Sequence, residues 1–420
     1  MFGDHGGHGR SREEIIVGLA HPASSDHVTG VRPSLSPVEL LGRLVAFDTT
    51  SRNSNLSLAD FVCDYLDRSG VRITRNPSAD GRKTNLVIQV GPDSNPETRE
   101  GVVLSGHMDV VPADEPEWRS DPFELARSDD RLTARGACDM KGFLALAVDR
   151  LASMNPDDMT APLALLLTFD EEVGTLGAKH FVDTCPPDVV LPRRVIIGEP
   201  TGFAVVRMHK GHLQLSLTLT GRAAHSGFPQ SGDNAIEPMA LAVGALADLR
   251  RALERDGEAS EHSAHFGTVP FVTLNVAQIH GGSATNVVPD RCRLDIGIRL
   301  MPGMASDAMV DRVRAAVEGV LPQRQFELAV VSDSPPMLLP EDNALYQTLC
   351  GTVGQTETRS VYFATDAGWL SGADFDCVVF GPGNMDTAHK PNEWISAGDL
   401  VRGEALVGGI VSRYCSQFRR

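Results

Sequence analysis

Residues 102–112 read VVLSGHMDVVP, and residues 163–172 read LALLLTFDEE. In each, an unbroken apolar run ends in side chains that bind cations or carry protons. A run without polar alternation is the pattern of a strand buried on both faces. Asn85–Val90, Val195–Ile197 (in VIIGEP) and Cys377–Phe380 (in CVVFGPG) repeat it. Helical stretches such as Gly142–Met154 lie between some of these runs. The alternation predicts an α/β domain built on a mostly parallel sheet.

Upstream, Ser36-Pro37 caps a helix expected to run through Val45, and a second helix fits Ser57 to Ser69, closed by Gly70. The first 33 residues, rich in Gly, His, Ser and Pro, are expected to be a mobile extension. Between Met208 and Ser332 the periodicity changes. His212–Thr220, Val269–Gln278, Cys292–Leu300 and Phe326–Val331 read as strands, with helices at Asn234–Glu254 and Ser306–Val320. That βαββαβ order predicts a ferredoxin-like unit at 208–332, inserted into a catalytic domain formed by 34–207 and 333–420. Its alternating strands leave one sheet face free, as a lid or dimerisation domain requires.

Composition narrows the function. A length of 420 residues predicts two or three domains, and 42% hydrophobic with 22% charged residues is a globular balance. No apolar run approaches the ~18 residues of a membrane span, and the N-terminus lacks a secretory apolar segment. Seven cysteines, an odd number without a C-x-x-C pair, predict reduced thiols in the cytosol. A net charge of −17 repels phosphate backbones and anionic lipid, which argues against nucleic-acid or membrane partners.

In open α/β sheets, sites form beyond the carboxyl ends of the strands. The runs deliver His107 and Asp109, then Asp170, Glu171 and Glu172, then Glu199, and finally a loop carrying His389. Asp139 in ARGACDMKG precedes a helix. The spacing of His107 and Asp109 suits a histidine ligand whose second nitrogen is held by the aspartate. Of Glu171 and Glu172, one could bind metal while the other takes a proton from water, and spacing leaves their order open. Two histidines with three carboxylates suit zinc or cobalt better than magnesium. Five ligands exceed one tetrahedral ion, so a carboxylate bridging two ions about 3.5–4 Å apart is expected. His209, His212, His262 and His265 fall in the insert and read as surface or packing residues.

SGHMDVVP, WRSDPF, ARGACDMKG, Glu171-Glu172, GEPT and GRAAHSG occur in that order. Together they resemble the dinuclear zinc family of aminoacylases, desuccinylases, bacterial carboxypeptidases and acetylornithine deacetylases. MHKGH, GRAAHSGFPQSGDNAIE and FGPGN…AHKPNEW make the deacetylases the fullest match. The resemblance implies that Asp139 bridges two zinc ions before a cis peptide, with His107 and Glu199 completing one site and Glu172 and His389 the other. It implies Glu171 as general base, Asp109 as the orienter of His107, and His225 as an oxyanion donor reaching the partner subunit of a homodimer. Asn286 and Arg299 fall where relatives contact substrate or its carboxylate. Asp366, in YFATDAGWL, stands where the deacetylases carry a Thr-Glu-like pair, and is expected to meet a substrate ammonium. The implied reaction is hydrolysis of N2-acetyl-L-ornithine to acetate and L-ornithine in arginine synthesis. Acetylcitrulline deacetylase, succinyl-diaminopimelate desuccinylase and a non-catalytic binding scaffold are the alternatives. The N-terminal extension and the EASEHSAHF segment match no family pattern.

Overall fold

LALLLT offers water no polar face, and the strand Leu163–Thr168 is buried from end to end. Parallel ladders join it to Val102–His107, that strand to Arg194–Ile197, and the latter to Asp376–Val379. These four are the parallel centre of a nine-stranded sheet in the computed structural model, which describes residues 35–257 and 261–416. The expected extension at 1–33 lies outside the described residues. Thr84–Val90 and Val71–Pro77 continue the sheet antiparallel on one side, and Val206–His209 does so on the other.

Side chains alternate across each strand, so both faces need a cover. Leu104, Leu165, Ile196 and Val378 join one apolar layer with the helices Pro37–Val45, Leu56–Leu66, Gly142–Ser153 and Ala397–Cys415. Val103, Leu166, Val195 and Val379 join the other with Phe181 and Leu370, from the helices Leu176–Thr184 and Ala367–Gly372. The first helix starts as expected: Ser36 N–H donates to the Glu39 carboxylate at 2.8 Å, closing a capping box. The second stops at Leu66, short of the expected Ser69. There Arg68 turns away to donate to the carbonyls of Leu151 and Met154, at 3.1 and 2.6 Å, and Gly70 takes φ +82°.

The inserted unit is a separate four-stranded antiparallel sheet, ordered Thr273–Gly281, Arg291–Leu300, Gly211–Thr220, Phe326–Ser334. Helices Ile236–Gly257 and Ser306–Val320 pack on its apolar face. This is the ferredoxin-like order. The chain leaves the large sheet after Val206–His209 and returns at Met337–Leu338, and these two strands pair with one another. Among the described residues, no helix is long and apolar enough to cross a membrane.

All four parallel strands end on one edge, so the residues that follow them converge. Close packing keeps that edge in place. A Cβ on Gly198, just before Glu199, would sit 1.9 Å from the ring of the buried Phe143. We therefore expect Gly198→Ala to destabilise the fold by about 1–3 kcal/mol, measured as a lower urea midpoint. An unchanged midpoint would mean that Phe143 can move aside freely.

Candidate metal centre

His107 ends its strand with Nε2 at 3.1 Å from Asp139 Oδ1 and 3.9 Å from Glu199 Oε1. The other Asp139 oxygen, Oδ2, lies 3.0 Å from His389 Nε2, which is itself 3.0 Å from Glu172 Oε1. Two trios result, His107–Asp139–Glu199 and Asp139–Glu172–His389, and within each the candidate ligand atoms all fall within 4.8 Å of one another. One carboxylate thus turns its two oxygens toward two different histidines. A donor set of imidazole and carboxylate in that arrangement fits divalent cations.

Backbone contacts hold these side chains. His107 Nδ1 lies 2.9 Å from the backbone carbonyl of Asp109, whereas the Asp109 carboxylate is 3.6 Å away. Asp109 therefore steadies His107 through its main chain, not through the side-chain contact expected from sequence. Its carboxylate faces elsewhere. It accepts the N–H of Glu171 at 3.0 Å, the N–H of Glu172 at 3.3 Å, and the hydroxyl of Ser51 at 2.7 Å. Asp170, at φ +52°, turns the chain between strand and glutamates and is paired with Lys83. The Asp139–Met140 peptide is cis.

The electrostatics are those of crowded acids. Burial lifts Glu171 well above the usual carboxylate range, and the charges of Glu199 and Glu172 add to it against the pull of His107. Glu172 is pushed up to about 7 by burial and Asp139. Glu199 is raised for the same two reasons. Burial also opposes a charge on Asp139, yet bonds to His107 and His389 hold it below the usual range. His389 rises to about 11, because Asp139 and Glu172 outweigh its burial. Asp139 is the anion around which the histidines gather, and the glutamates compete for what positive charge remains.

A cavity of about 430 Å³ opens over the two trios. Glu171 lines it beside the ligand candidates, where a base can reach a bound molecule. The opposite wall includes Arg299, His212 and Gln214. Arg299 pairs in register with His212 across two strands of the inserted sheet, and Gly297 with Gln214, so all three project from one face. His212 is thus a cavity residue where a surface or packing residue is expected, and Gln214 is a site residue beyond those expected from sequence. The His-x-Gln alternation opposite Arg299 is the signal that would have found them. Asp366 does not line the cavity: it is 2% exposed, and its Oδ2 accepts from Thr168 at 2.6 Å. Buried there, Asp366 is not placed to meet a substrate ammonium in the cavity, contrary to the expectation from sequence. His225 and Asn286 are not among the residues lining the cavity; both are exposed, His225 on the short ladder of Ala224–His225 with Val287–Val288 and Asn286 just before its second strand.

Residues 103–413 match the model of a family described as Peptidase family M20/M25/M40. The acetylornithine deacetylase of Yersinia pseudotuberculosis is 32% identical over 376 residues, covering 89% of this chain and 94% of that protein. Among solved structures, a tripeptidase from Staphylococcus aureus superposes with a TM-score of 0.68 at 19% identity, over 90% of this chain and 97% of its own. A dinuclear metal-binding peptidase of the M20 family from Bacillus subtilis gives 0.61 at 11% identity, over 89% and 96%. At such identities the structural likeness speaks for the fold. With the sequence match and the convergence on Asp139, it follows that the chain belongs to peptidase family M20/M25/M40, as a metal-dependent amidohydrolase.

Proposed function

We propose that this chain removes the acetyl group from N2-acetyl-L-ornithine, releasing acetate and L-ornithine for arginine synthesis, in the cytosol and with two zinc ions. The observation that carries the reading is the pair of trios sharing Asp139 beneath a cavity lined by Glu171. The naming of the Yersinia relative supports the choice of substrate. His107 and Glu199 would hold one ion, Glu172 and His389 the other, with Asp139 between; cobalt would suit the same donors. Bound there, the ions would polarise the acyl carbonyl and lower the pKa of water at the site.

The side chains do the rest. Glu171, raised by burial and its acidic neighbours, accepts a proton from water as the water oxygen bonds to the acyl carbon. The carbon–nitrogen bond breaks, and Glu171 returns the proton to the leaving amine. Arg299 faces the cavity as the cation for the substrate carboxylate. His225, exposed and not among the residues lining its own cavity, acts on the oxyanion in a partner subunit, with the inserted unit forming the homodimer contact and lid. Asn286 lies beside it: the Ser226 N–H donates to its carbonyl at 2.9 Å. A second reading has its own support. All the acids on the cavity wall belong to the trios or the base, leaving none for a side-chain ammonium. A neutral side chain, as in acetylcitrulline, would need none.

Release of acetate from acetylornithine and acetylcitrulline, and of succinate from succinyl-diaminopimelate, tests the assignment; no acetate from acetylornithine would overturn it, and acetate from acetylcitrulline alone would favour the second reading. Glu171→Gln is expected to keep its metal, by elemental analysis, and to lose about 10²–10⁴-fold in turnover. Near-normal turnover would remove Glu171 as the base. Arg299→Ala should raise KM with kcat little changed, and an unchanged KM would free Arg299 of the substrate carboxylate.

Removing metal has a pH signature. Glu172 is raised from 4.5 to about 7 and Asp366 from 3.8 to about 6, chiefly by burial. The stability each contributes is full below its unfolded value and lost as pH rises through the folded one. His389, raised from 6.5 to about 11, continues the loss at higher pH. Lys141, lowered by burial from 10.5 to about 7, acts oppositely above neutrality, and His209 and His212, lowered by burial from 6.5 to about 4, do so below it; Glu171 and Glu199, also raised, tip the balance with Glu172 and Asp366 toward a fall. In chelator, the thermal midpoint should therefore fall between pH 5 and pH 7. Zinc should remove the share of Glu172 and His389 in that slope, because it binds deprotonated ligands, and leave the share of Asp366, which is not a ligand. A midpoint that climbs in chelator over this range would contradict the assignment of these groups.

A further inference from the structure

Glu393 is 1% exposed, four residues past His389, and does not line the cavity. Its Oε1 accepts two backbone N–H groups, from Cys138 at 2.9 Å and from Asp139 at 3.0 Å. Its Oε2 accepts from Arg135 Nη1 at 2.9 Å. Arg135 is wholly buried, with its guanidinium 5.1 Å from the Trp118 ring. Nη1 also donates to the Lys390 carbonyl at 3.3 Å, and Nη2 to the Pro112 carbonyl at 2.9 Å.

One ion pair thus reaches the backbone beside three site segments. Pro112 closes the VVLSGHMDVVP run after His107, Cys138 and Asp139 form the central loop, and Lys390 follows His389. A buried ion pair is a poor investment if stability is the only return, since two charges must leave water. Arg can span these segments because its planar fork fixes several acceptors in one geometry. The Glu393 bond to the Asp139 N–H sets the direction of that residue's backbone, and hence where its carboxylate points.

We propose that Arg135 and Glu393 are a positioning pair for the cation site, holding the Asp139 carboxylate between His107 and His389. The proposal rests on the ligand assignment above. Neither side chain touches substrate; both act through Asp139.

The test is chelator competition for zinc, with the visible spectrum of the cobalt-loaded protein as a second readout. Glu393→Gln keeps an acceptor for the two N–H groups but loses the charge, and Arg135→Lys keeps the charge but loses the fork. Each is expected to weaken metal binding by about 10–100-fold and to alter the cobalt spectrum. Glu393→Ala should lose more than Glu393→Gln. Zinc affinity and cobalt spectrum like the unmutated protein's, in folded Glu393→Gln, would overturn the proposal, because a merely structural role lowers the melting temperature without moving either. If neither Glu393→Gln nor Arg135→Lys folds, Trp118→Leu decides. It loosens the Arg135 seat from its outer side and should lower affinity less, but in the same direction; no change would overturn the proposal. Acetate release by the unmutated protein is measured alongside. Two bound metal equivalents without release would sink the deacetylase reading and leave the positioning proposal to the titration. No metal binding by the unmutated protein would sink both.

Discussion

Asp139 has to face two ways at once. Its carboxylate oxygens lie 3.1 and 3.0 Å from histidines that are more than two hundred residues apart in sequence. Meeting that condition requires a rigid platform. The parallel centre of the large sheet supplies one, because strands buried on both faces cannot slip without exposing apolar side chains to water. His107 ends one of those strands, Glu172 and Glu199 follow two others, and the loop after a fourth carries His389. Asp139 stands outside the sheet, at the entrance to the helix Gly142–Ser153, and needs its own restraint.

Four acids, Asp139, Glu171, Glu172 and Glu199, meet in one buried place, where low polarity magnifies repulsion. Without a cation, the raised affinity of the glutamates for protons is how the chain relieves that repulsion. A divalent metal relieves it more completely and leaves the carboxylates ionised. The same crowding that makes the site unfavourable alone makes it selective for cations, and keeps Glu171 basic enough to take a proton.

Much of this was legible in the sequence because strand burial and strand ends are local patterns. Leu163–Thr168 is readable to the residue, and the motifs around His107, Asp139, Glu172, Glu199 and His389 mark all five as candidate ligands. What escaped depends on distant partners. Nothing in SGHMD says that the Asp109 carbonyl, rather than its side chain, sits closer to His107. Asp366 looked available in YFATDAGWL, but the Thr168 hydroxyl claims it from a strand nearly two hundred residues earlier. His212, paired with His209 at ligand-like spacing in the insert, reads as a surface or packing residue until the facing strand, and with it Arg299, is known. The antiparallel flanks of the large sheet were likewise hidden, since burial alone does not report strand direction.

The inserted unit departs from and rejoins the large sheet through two strands lying side by side, Met337 opposite His209. Besides this two-ply strap, the Tyr362 hydroxyl donates to the Phe266 carbonyl and the Trp369 N–H to the Asp333 carbonyl, so a pivot of the whole body breaks a few side-chain bonds but no ladder in either sheet. Its swing would change how far Arg299, His212 and Gln214 stand from Asp139, while leaving every spacing within the trios untouched. On the proposed reading, capture and release of a small molecule would proceed by rotation at the strap, and the machinery that does the chemistry would not be rebuilt between turnovers.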